Sequence, residues 1–442
     1  MSEDPSDLTT GKGARPAVRR ALRPMREFLD TESAGAVALV AAAVVALVWA
    51  NSPLSSSYER LWETDLSIGL GDWELALDLR HWVNDGLMTL FFLVVSLEIK
   101  RELVHGELSG LRRAALPVVA AAGGMIVPAL IYFLFNTSGP QAHGWGIPMA
   151  TDIAFAVGVV ALVAPRISQA AKVFLLSLAI VDDVGAILVI AIFYSSSLQL
   201  LPLGLAFAGA LVMYVLRHIG VRSSPVYVVL GVMVWLATLE SGVHATIAGV
   251  VIAFLTPVRP ALEDEWDRLK TGAQRLLQQP TPQKARAAKL RAREVVAPGE
   301  WVEHLLHPWT SFLIIPVFAL ANAGLSVDSN ALGDALGSSV AIGIFLGLVV
   351  GKPLGICAAA FIAVRMRIGT LPEDTSVRDV VGLGALAGIG FTVSLFISDL
   401  AFADETLVAE AKLGILAASI AAGAIGAAVL HRDRAGRERI EE

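Results

Sequence analysis

The sequence has few of the features on which soluble enzymes depend. Its 442 residues include one cysteine, Cys357, inside an apolar run, which excludes an intrachain disulfide or a cysteine cluster for a metal. Charged residues make up 17% of the chain, well below the roughly 25% of soluble domains. A glycine-rich nucleotide loop and a nucleophile triad are also lacking, so no motif supports a soluble enzyme.

Apolar residues are abundant instead, and they lie in long runs. They amount to 55% of the chain, and the mean hydropathy is +0.66. A helix needs about 20 residues to cross a bilayer, and lipid tolerates only helices and closed barrels. Because the runs lack strict alternation, they predict helices. The twelve predicted spans are Ser33–Ala50, Trp82–Leu97, Ala114–Phe135, Gly146–Ala164, Val173–Tyr194, Leu203–Leu216, Val226–Leu239, Gly242–Leu255, Trp309–Leu325, Val340–Val364, Val380–Ile397 and Leu407–Leu430.

The distribution of lysine and arginine tests this count independently. The two tails and every second loop together hold 30 of the 34 Lys and Arg residues. The other loops contain Arg60, Arg80 and Lys412, and Lys352 lies inside a span. Cytoplasmic loops carry an excess of these residues. The partition therefore predicts an even number of spans, with both termini in the cytoplasm.

The charge pattern also predicts the domain organisation. Residues 1–30 are expected to form a disordered cytoplasmic tail, because they are polar and contain proline and glycine. Residues 31–430 are expected to form one transmembrane domain, and residues 431–442 a second cytoplasmic tail. Within the domain, residues 259–300 are predicted as a charged cytoplasmic loop, in which Leu262–Leu277 can form a surface helix.

Ionisable side chains inside the spans are the first candidates for function, because a charge at mid-bilayer costs about 2.5–3.5 kcal/mol on insertion scales. Asp182 and Asp183 are adjacent, and neighbours on a helix point about 100° apart. One carboxylate can therefore line a cavity while the other faces a neighbouring helix, and the pair is suited to exchanging protons for a cation. A buried Lys352 needs a carboxylate partner, as a structural ion pair or as part of the mechanism. The other candidates are Asp85, Asp152 and His244.

Two spans contain residues typical of interrupted helices. Asp152 follows Pro148 and Thr151, which remove or compete for backbone hydrogen bonds. The eleventh span contains four glycines between Gly382 and Gly390. Two interrupted helices, one in each half, indicate a central ion site, as in several transporter families including the one named below. Asp152 can neutralise the helix N-termini that such breaks expose, and Lys352 the C-termini.

Ten short motifs carry a resemblance to a known family. In chain order they are Asn84–Met88, Ser96–Leu103, Gly123–Pro128, Ala150–Ala156, Ala179–Ala186, Ser241–Thr246, Glu303–Trp309, Phe318–Gly324, Gly351–Ile356 and Gly388–Thr392. Together they resemble the NhaA-type sodium/proton antiporters over roughly residues 25–430. The long N-terminal tail and the extended loop around residues 259–300 depart from the family pattern.

The resemblance implies an all-α membrane protein of twelve transmembrane helices. Spans three to five and ten to twelve would be inverted repeats, and the broken helices four and eleven would cross at mid-membrane. Asp183 would be the main ligand of sodium or lithium, Asp182 would pair with Lys352, and Thr151 and Asp152 would lie at the crossing. The positions that match residues tied to pH sensing at the cytoplasmic side are Glu98, Arg101, Glu102, His244, Glu303, His304 and His307.

The predicted function is an electrogenic, pH-regulated exchange of cytoplasmic sodium or lithium for external protons. The resemblance also suggests a homodimer, with the polar hairpin region Ser67–Arg80 as a candidate contact, and neither a cofactor nor a nucleic acid is expected. A sodium-coupled solute symporter stays open as an alternative, and it would need a larger polar cavity. An intramembrane aspartyl protease is discounted, because its Gly-x-Gly-Asp string at Gly69–Asp72 lies outside any span.

Overall fold

The structure is a computed structural model, and it describes nearly all of the chain beyond the N-terminal tail. The described residues are 23–71, 73–106, 110–165, 167–195, 198–221, 223–258, 263–295, 297–326, 333, 337–372 and 374–441. Residues 1–22 of the predicted disordered tail lie outside these ranges. The rest of that tail belongs to the first helix, which begins at Arg23. The predicted C-terminal tail is helical to Glu441.

Helices account for most of the described chain. They are α1 (Arg23–Ala50), α2 (Ser55–Trp62), α3 (Met88–His105), α4 (Leu111–Phe135), α5 (Ile153–Val163), α6 (Gln169–Phe193), α7 (Leu200–His218), α8 (Ser224–Glu240), α9 (Ala245–Leu255), α10 (Glu263–Gln278), α11 (Pro282–Val295), α12 (Pro298–Trp309), α13 (Ile315–Asn322), α14 (Ser339–Leu346), α15 (Lys352–Arg365), α16 (Val377–Ala387), α17 (Phe391–Ala401) and α18 (Glu405–Glu441). A 3₁₀ helix, Pro140–Met149, precedes α5. Three π-helical segments, Trp82–Leu87, Thr310–Ile314 and Gly347–Gly351, continue directly into α3, α13 and α15.

Several of these helices are long and apolar enough to cross a membrane. Six meet this test among the described residues, and up to nine do so when each sharply bent pair of helices counts as one span. Each of the twelve predicted spans overlaps a helix, but α3 does not meet the test, and α8 and α9 are shorter apolar helices. The prediction of a multi-span helical protein is therefore confirmed, while the number twelve stays a prediction.

The structure is mostly helical, as predicted for an all-α protein, and it contains in addition one short β-hairpin among the described residues. β1 (Asp65–Leu70) and β2 (Trp73–Asp78) pair as an antiparallel hairpin. Apolar and polar residues alternate in both strands, which is the pattern of a strand with one polar face. The turn between them contains Gly71 with a φ of 65°, a conformation that favours glycine. The hairpin coincides with the segment that the sequence analysis named as a candidate dimer contact.

The segment between residues 259 and 300 also differs from the prediction. The expected surface helix is present as α10, but a second helix, α11, follows it and packs against it. The next helix, α12, already begins at Pro298, eleven residues before the predicted start at Trp309. Pro298 occupies the first turn, where a proline without an N–H donor is tolerated. The segment is therefore a helical hairpin rather than an irregular loop.

The helices α4 and α15 approach each other closely through glycines. A Cβ atom on Gly355 would overlap the carbonyl group of Gly123, and a Cβ atom on Gly123 would overlap that of Gly355. Small residues at such a contact let two membrane helices pack backbone against backbone. Because Lys352 lies one turn before Gly355, this contact also positions the lysine beside α4.

We expect the Gly355→Val substitution to lower the stability of the protein by roughly 1–3 kcal/mol, because overpacking forces neighbouring backbones apart. The measurement is the apparent melting temperature of the purified protein in detergent. Gly204→Val in α7 is the matched control, since nothing lies within 4 Å of a Cβ atom at that position. Equal melting temperatures for the two variants would contradict the proposed close contact.

Candidate ion-binding site

The first broken helix, formed by Pro140–Met149 and α5, bends by 42° at residues 150–152. Ala150 has extended backbone angles, and Asp152 lies in the extended region as the N-cap of α5. Pro148 lies just before the break and cannot donate a backbone hydrogen bond. The interruption predicted from Pro148 and Thr151 is therefore present in the structure.

The second broken helix, formed by α16 and α17, also bends by 42°, at residues 388–390. The glycines here are required by close packing: a Cβ atom on Gly388 would overlap the carbonyl of Leu348. The two breaks touch each other. The N–H of Asp152 donates to the carbonyl of Ile389 at 2.7 Å, and the hydroxyl of Thr151 donates to the carbonyl of Ala387 at 2.9 Å.

Asp152 compensates the helix N-termini that the two breaks expose. Its Oδ1 accepts a hydrogen bond from the N–H of Phe155 at 3.0 Å, in the first turn of α5. Its Oδ2 accepts from the N–H and the hydroxyl of Thr392, at 3.1 and 2.7 Å, in the first turn of α17. A carboxylate is stabilised beside the positive ends of helix dipoles. Both of its oxygens are engaged, so Asp152 holds the crossing together.

Lys352 forms a buried ion pair with Asp182 on α6. Its Nζ lies 2.7 Å from Asp182 Oδ2, and both side chains are fully buried. The same ammonium donates to the carbonyl of Met149, at the C-terminal end of the 3₁₀ half-helix. The hydroxyl of Thr151 also donates to Asp182 Oδ2, at 2.6 Å. This is the pairing that the family resemblance implied, and Lys352 neutralises an exposed helix C-terminus as predicted.

Asp183 faces a different environment from its neighbour on α6. Its carboxylate is 2% exposed. The Oδ1 atoms of both aspartates have no hydrogen-bond partner among the described residues, but only Asp182 has an ion pair, through its Oδ2. Asp183 lines a cavity of about 40 Å³ that Asp182 does not line. The two carboxylates thus point in different directions, as the 100° step of a helix requires. A buried oxygen atom without a partner calls for an explanation, and a bound cation or proton is one.

The cavity lies between the crossing and a group of three helices. One wall consists of the two breaks and α6, and the other of α3 and the segment from α12 to α13. The polar residues that line it are Glu98, Thr151, Asp152, Asp183, His307, Thr310, Ser311 and Thr392. Since a water molecule needs about 10–15 Å³ of such volume, the cavity can hold about three waters. Its size fits a small, partly hydrated cation.

An aromatic cluster packs the second broken helix against two helices of the facing wall. Phe396 of α17 packs against Phe92 of α3 and Phe318 of α13, with ring centroids 5.4 and 6.2 Å apart. All three rings are at most 2% exposed. Aromatic contacts of this kind join the second broken helix to α3 and α13 by apolar packing alone. The polar lining of the cavity extends instead towards Glu98 and His307.

Four of the pH-sensing candidates form one cluster at the end of α3. Arg101 forms an ion pair with Glu303 of α12, and it lies 3.7 Å from Glu98 and 3.9 Å from Glu102. Glu98 and Glu303 are buried, at 8% and 6% exposure. Because Glu98 also lines the cavity, the cluster connects the C-terminal end of α3 with the ion site.

The three histidine candidates do not share one location. His307 lines the cavity, whereas His304 is exposed on α12. His244 is far from the Arg101 cluster in the fold, because it precedes α9 and contacts the carbonyl of Tyr194 at the opposite end of α6. His244 therefore lies outside the Arg101 cluster, and its role in pH sensing stays a prediction. No group of three metal-ligating side chains occurs among the described residues.

The sequence analysis missed several polar residues near the site. Thr310 and Ser311 line the cavity from a π-helical segment. The only indication of them in the sequence was the presence of two hydroxyl side chains shortly after Pro308. A second ion pair joins Asp399 of α17 to Lys412 of α18, at 3.2 Å. Lys412 was assigned to an outer loop, but it is 9% exposed inside α18.

Ionisable groups around two interrupted helices, inside a bundle of apolar helices, define a membrane transporter of small ions. Residues 26–430 match the family model described as Na+/H+ antiporter 1. The chain belongs to this family of sodium/proton antiporters.

Curated relatives are similar over almost their whole length. The Na(+)/H(+) antiporter NhaA 2 of Sorangium cellulosum is 46% identical, with 96% of this chain and 94% of the relative covered. The Na(+)/H(+) antiporter NhaA of Wolinella succinogenes is also 46% identical, with 96% and 95% covered. The Na(+)/H(+) antiporter NhaA of a Janthinobacterium species is 43% identical, with 97% of each chain covered.

Proposed function

We propose that the protein exchanges sodium or lithium for protons at Asp183, in the inner membrane of a bacterium. The observation that carries this proposal is the buried carboxylate of Asp183, whose Oδ1 has no hydrogen-bond partner among the described residues and which lines the small cavity. A buried carboxylate is stable when it is protonated or when it binds a cation, and costly as an unpaired anion. Sodium and protons therefore compete for the same oxygen atoms.

The ion pair of Asp182 with Lys352 supports a second exchangeable proton. When a cation binds Asp183, its positive charge adds to that of Lys352 at the same site, which favours loss of a proton from the lysine–carboxylate pair. Two protons would then leave for each monovalent cation that binds. Exchange with this stoichiometry moves net charge, so we expect it to be electrogenic and driven by the inward proton gradient.

Alternating access would be controlled at the two breaks. The polar lining of the cavity includes Glu98 and His307, whereas the packed rings of Phe396, Phe92 and Phe318 do not line it. We propose that this arrangement is the state that opens towards the cytoplasm. Return to the other side would require the pair of broken helices to move against α3 and α13, which Phe396 contacts through aromatic packing.

The Arg101 cluster is the proposed regulatory element. Glu98, Glu102 and Glu303 surround one guanidinium group, so protonation of any of them changes the ion pairs between α3 and α12. Both helices line the cavity that holds Asp183. Protonation of these glutamates at low pH would thus alter the route of the cation, whereas a high cytoplasmic pH would favour their ion pairs with Arg101.

The remaining features of the protein follow the sequence prediction. We propose twelve spans with inverted repeats in spans three to five and ten to twelve, and both termini in the cytoplasm. We also propose a homodimer in the lipid bilayer that uses the β-hairpin. Leu66 and Ile68 of β1 support this contact, because these apolar side chains are about half exposed.

The sodium-coupled symporter gains no support from the relatives, and the cavity offers no room for an organic solute. Pockets for such ligands have volumes of about 300–1,000 Å³. The cavity at Asp183 measures about 40 Å³. A second candidate function is therefore not proposed.

The proposal can be tested by measuring proton flux in proteoliposomes with an acidic interior. We expect external sodium to make the interior alkaline, because protons leave as sodium enters. Valinomycin with potassium should accelerate the flux, since it removes the potential that an electrogenic exchange builds up. Liposomes prepared without the protein are the control. A wild-type protein that produces no sodium-dependent alkalinisation would contradict the proposed function.

A further inference from the structure

The facing wall of the cavity contains a distortion of the helix at the level of the ion site. The π-helical segment Thr310–Ile314 lies between α12 and α13, directly after Pro308 and Trp309. A π-helical turn is rare in an ordinary helix and is frequent at functional sites. Here it occurs where Thr310 and Ser311 line the same cavity as Asp183.

The two hydroxyl groups of this segment have different surroundings. The Cβ atom of Ser311 packs against Gly35 of α1, where a Cβ atom on the glycine would approach it to 3.0 Å. Thr310 is 4% exposed, and its Oγ1 donates to the carbonyl of Leu306 at 3.0 Å. Because the proton of Thr310 is committed to Leu306, its lone pairs are directed to other groups, and they can coordinate a cation.

A cation at Asp183 needs neutral oxygen ligands in addition to the carboxylate. Hard cations prefer several oxygen atoms, which in proteins come from carboxylates, carbonyls, hydroxyl groups and water. Asp152 already accepts hydrogen bonds at both of its oxygens. The hydroxyl of Thr151 shares its one proton between Asp182 and Ala387, so Thr151 supplies at most one hydroxyl oxygen, from the wall of the crossing. Thr310 and Ser311 bring hydroxyl groups to the cavity from the opposite wall, and Thr310 is the one whose proton is committed to a carbonyl of its own helix.

We propose that Thr310 supplies a hydroxyl oxygen to the cation at Asp183 and thereby contributes to the selection between sodium and lithium. The inference rests on the proposed function, because it places the cation at Asp183. The distance between the wall that carries Thr310 and the wall that carries Asp183 then sets the size of ion that both oxygens can contact. The larger and the smaller ion should therefore depend on Thr310 to different extents.

The test compares the KM and kcat of sodium- and lithium-driven proton flux in Thr310→Val and Thr310→Ser. Valine has the shape of threonine without its oxygen, whereas serine keeps the hydroxyl. We expect Thr310→Val to raise the KM for sodium about tenfold, which corresponds to ~1.4 kcal/mol, and to change the ratio of the two KM values. Its kcat should change less than its KM. Thr310→Ser should stay within about twofold of the wild type for both ions.

Thr238→Val is the matched control for the loss of a hydrogen bond inside a helix. Thr238 is 6% exposed and donates to the carbonyl of Val234 at 2.7 Å, as Thr310 does to Leu306, but it does not line the cavity. If Thr238→Val raised the KM equally, or if Thr310→Val kept both KM values of the wild type, the inference would be overturned. Thr310→Ala provides the same comparison if the valine variant does not fold.

The variant Asp183→Asn separates this inference from the proposed function. If Asp183→Asn is inactive while Thr310→Val behaves as the wild type, only the role of Thr310 is wrong. If Asp183→Asn exchanges ions with the KM of the wild type, the cation lies elsewhere, and the proposed function of the site fails together with the inference.

Discussion

Asp183→Asn is expected to reduce sodium-driven proton flux at least about a hundredfold, which corresponds to ~2.7 kcal/mol. Asparagine has almost the same shape as aspartate, but it neither carries a negative charge nor binds and releases a proton. The variant therefore loses the attraction for the cation and the proton that the cation replaces. The measurement is the sodium-dependent alkalinisation of acid-loaded proteoliposomes.

The matched control for this substitution is Asp399→Asn. Asp399 is a carboxylate on α17 that pairs with Lys412 and does not line the cavity. We expect this variant to keep sodium-driven exchange, since a loss of charge at that site does not affect the binding of the cation. If the two variants lost activity equally, the effect would reflect general damage to a buried charge, and the assignment of Asp183 would lack support.

Lys352→Met is expected to destabilise the protein by about 3–5 kcal/mol, because removing one partner of a buried ion pair leaves the other charge uncompensated. The side chains of Lys352 and Asp182 are fully buried, so water cannot replace the lost ammonium. The carbonyl of Met149 also loses its donor. The apparent melting temperature in detergent measures the effect.

Two further variants sharpen this prediction. Lys412→Met removes the lysine from the ion pair of Lys412 with Asp399. The side chains of this pair are 11% and 19% exposed, so we expect a smaller loss of stability than for Lys352→Met. The double variant Asp182→Asn/Lys352→Met should regain much of the stability, because an uncharged buried pair avoids the desolvation cost. If Lys352→Met melted at the temperature of the wild type, Lys352 would not compensate the charge of Asp182. Electrical currents of the double variant would show whether exchange without this pair still moves net charge.

The central geometry could be predicted from the sequence because it depends on local rules. Two adjacent aspartates on a helix must diverge, which is why Asp182 meets Lys352 and Asp183 meets the cavity. The breaks were indicated by Pro148 and by the glycines of the eleventh span. Their charge compensation followed from the dipoles of the exposed helix ends.

The features that the sequence did not predict depend on contacts between distant segments. The role of Thr310 could not be predicted because it depends on the packing of α12 and α13 against the crossing. A hydroxyl residue in an apolar helix does not indicate which helices it faces. The pairing of Lys412 with Asp399 depends on how α18 packs against α17. The hairpin region was indicated at Ser67–Arg80, but its strands could not be delimited because the alternating pattern is short and lies between two strong helical signals.

The central claim, that a cation and protons compete at Asp183, is tested most directly by proton release from the purified protein. Sodium chloride is added to the detergent-solubilised wild type in a weakly buffered solution, and the change in pH is recorded. We predict that sodium releases protons from the wild type, that potassium does not, and that Asp183→Asn releases none. A wild type that binds radioactive sodium without releasing protons, or an Asp183→Asn variant that releases as many as the wild type, would contradict this account.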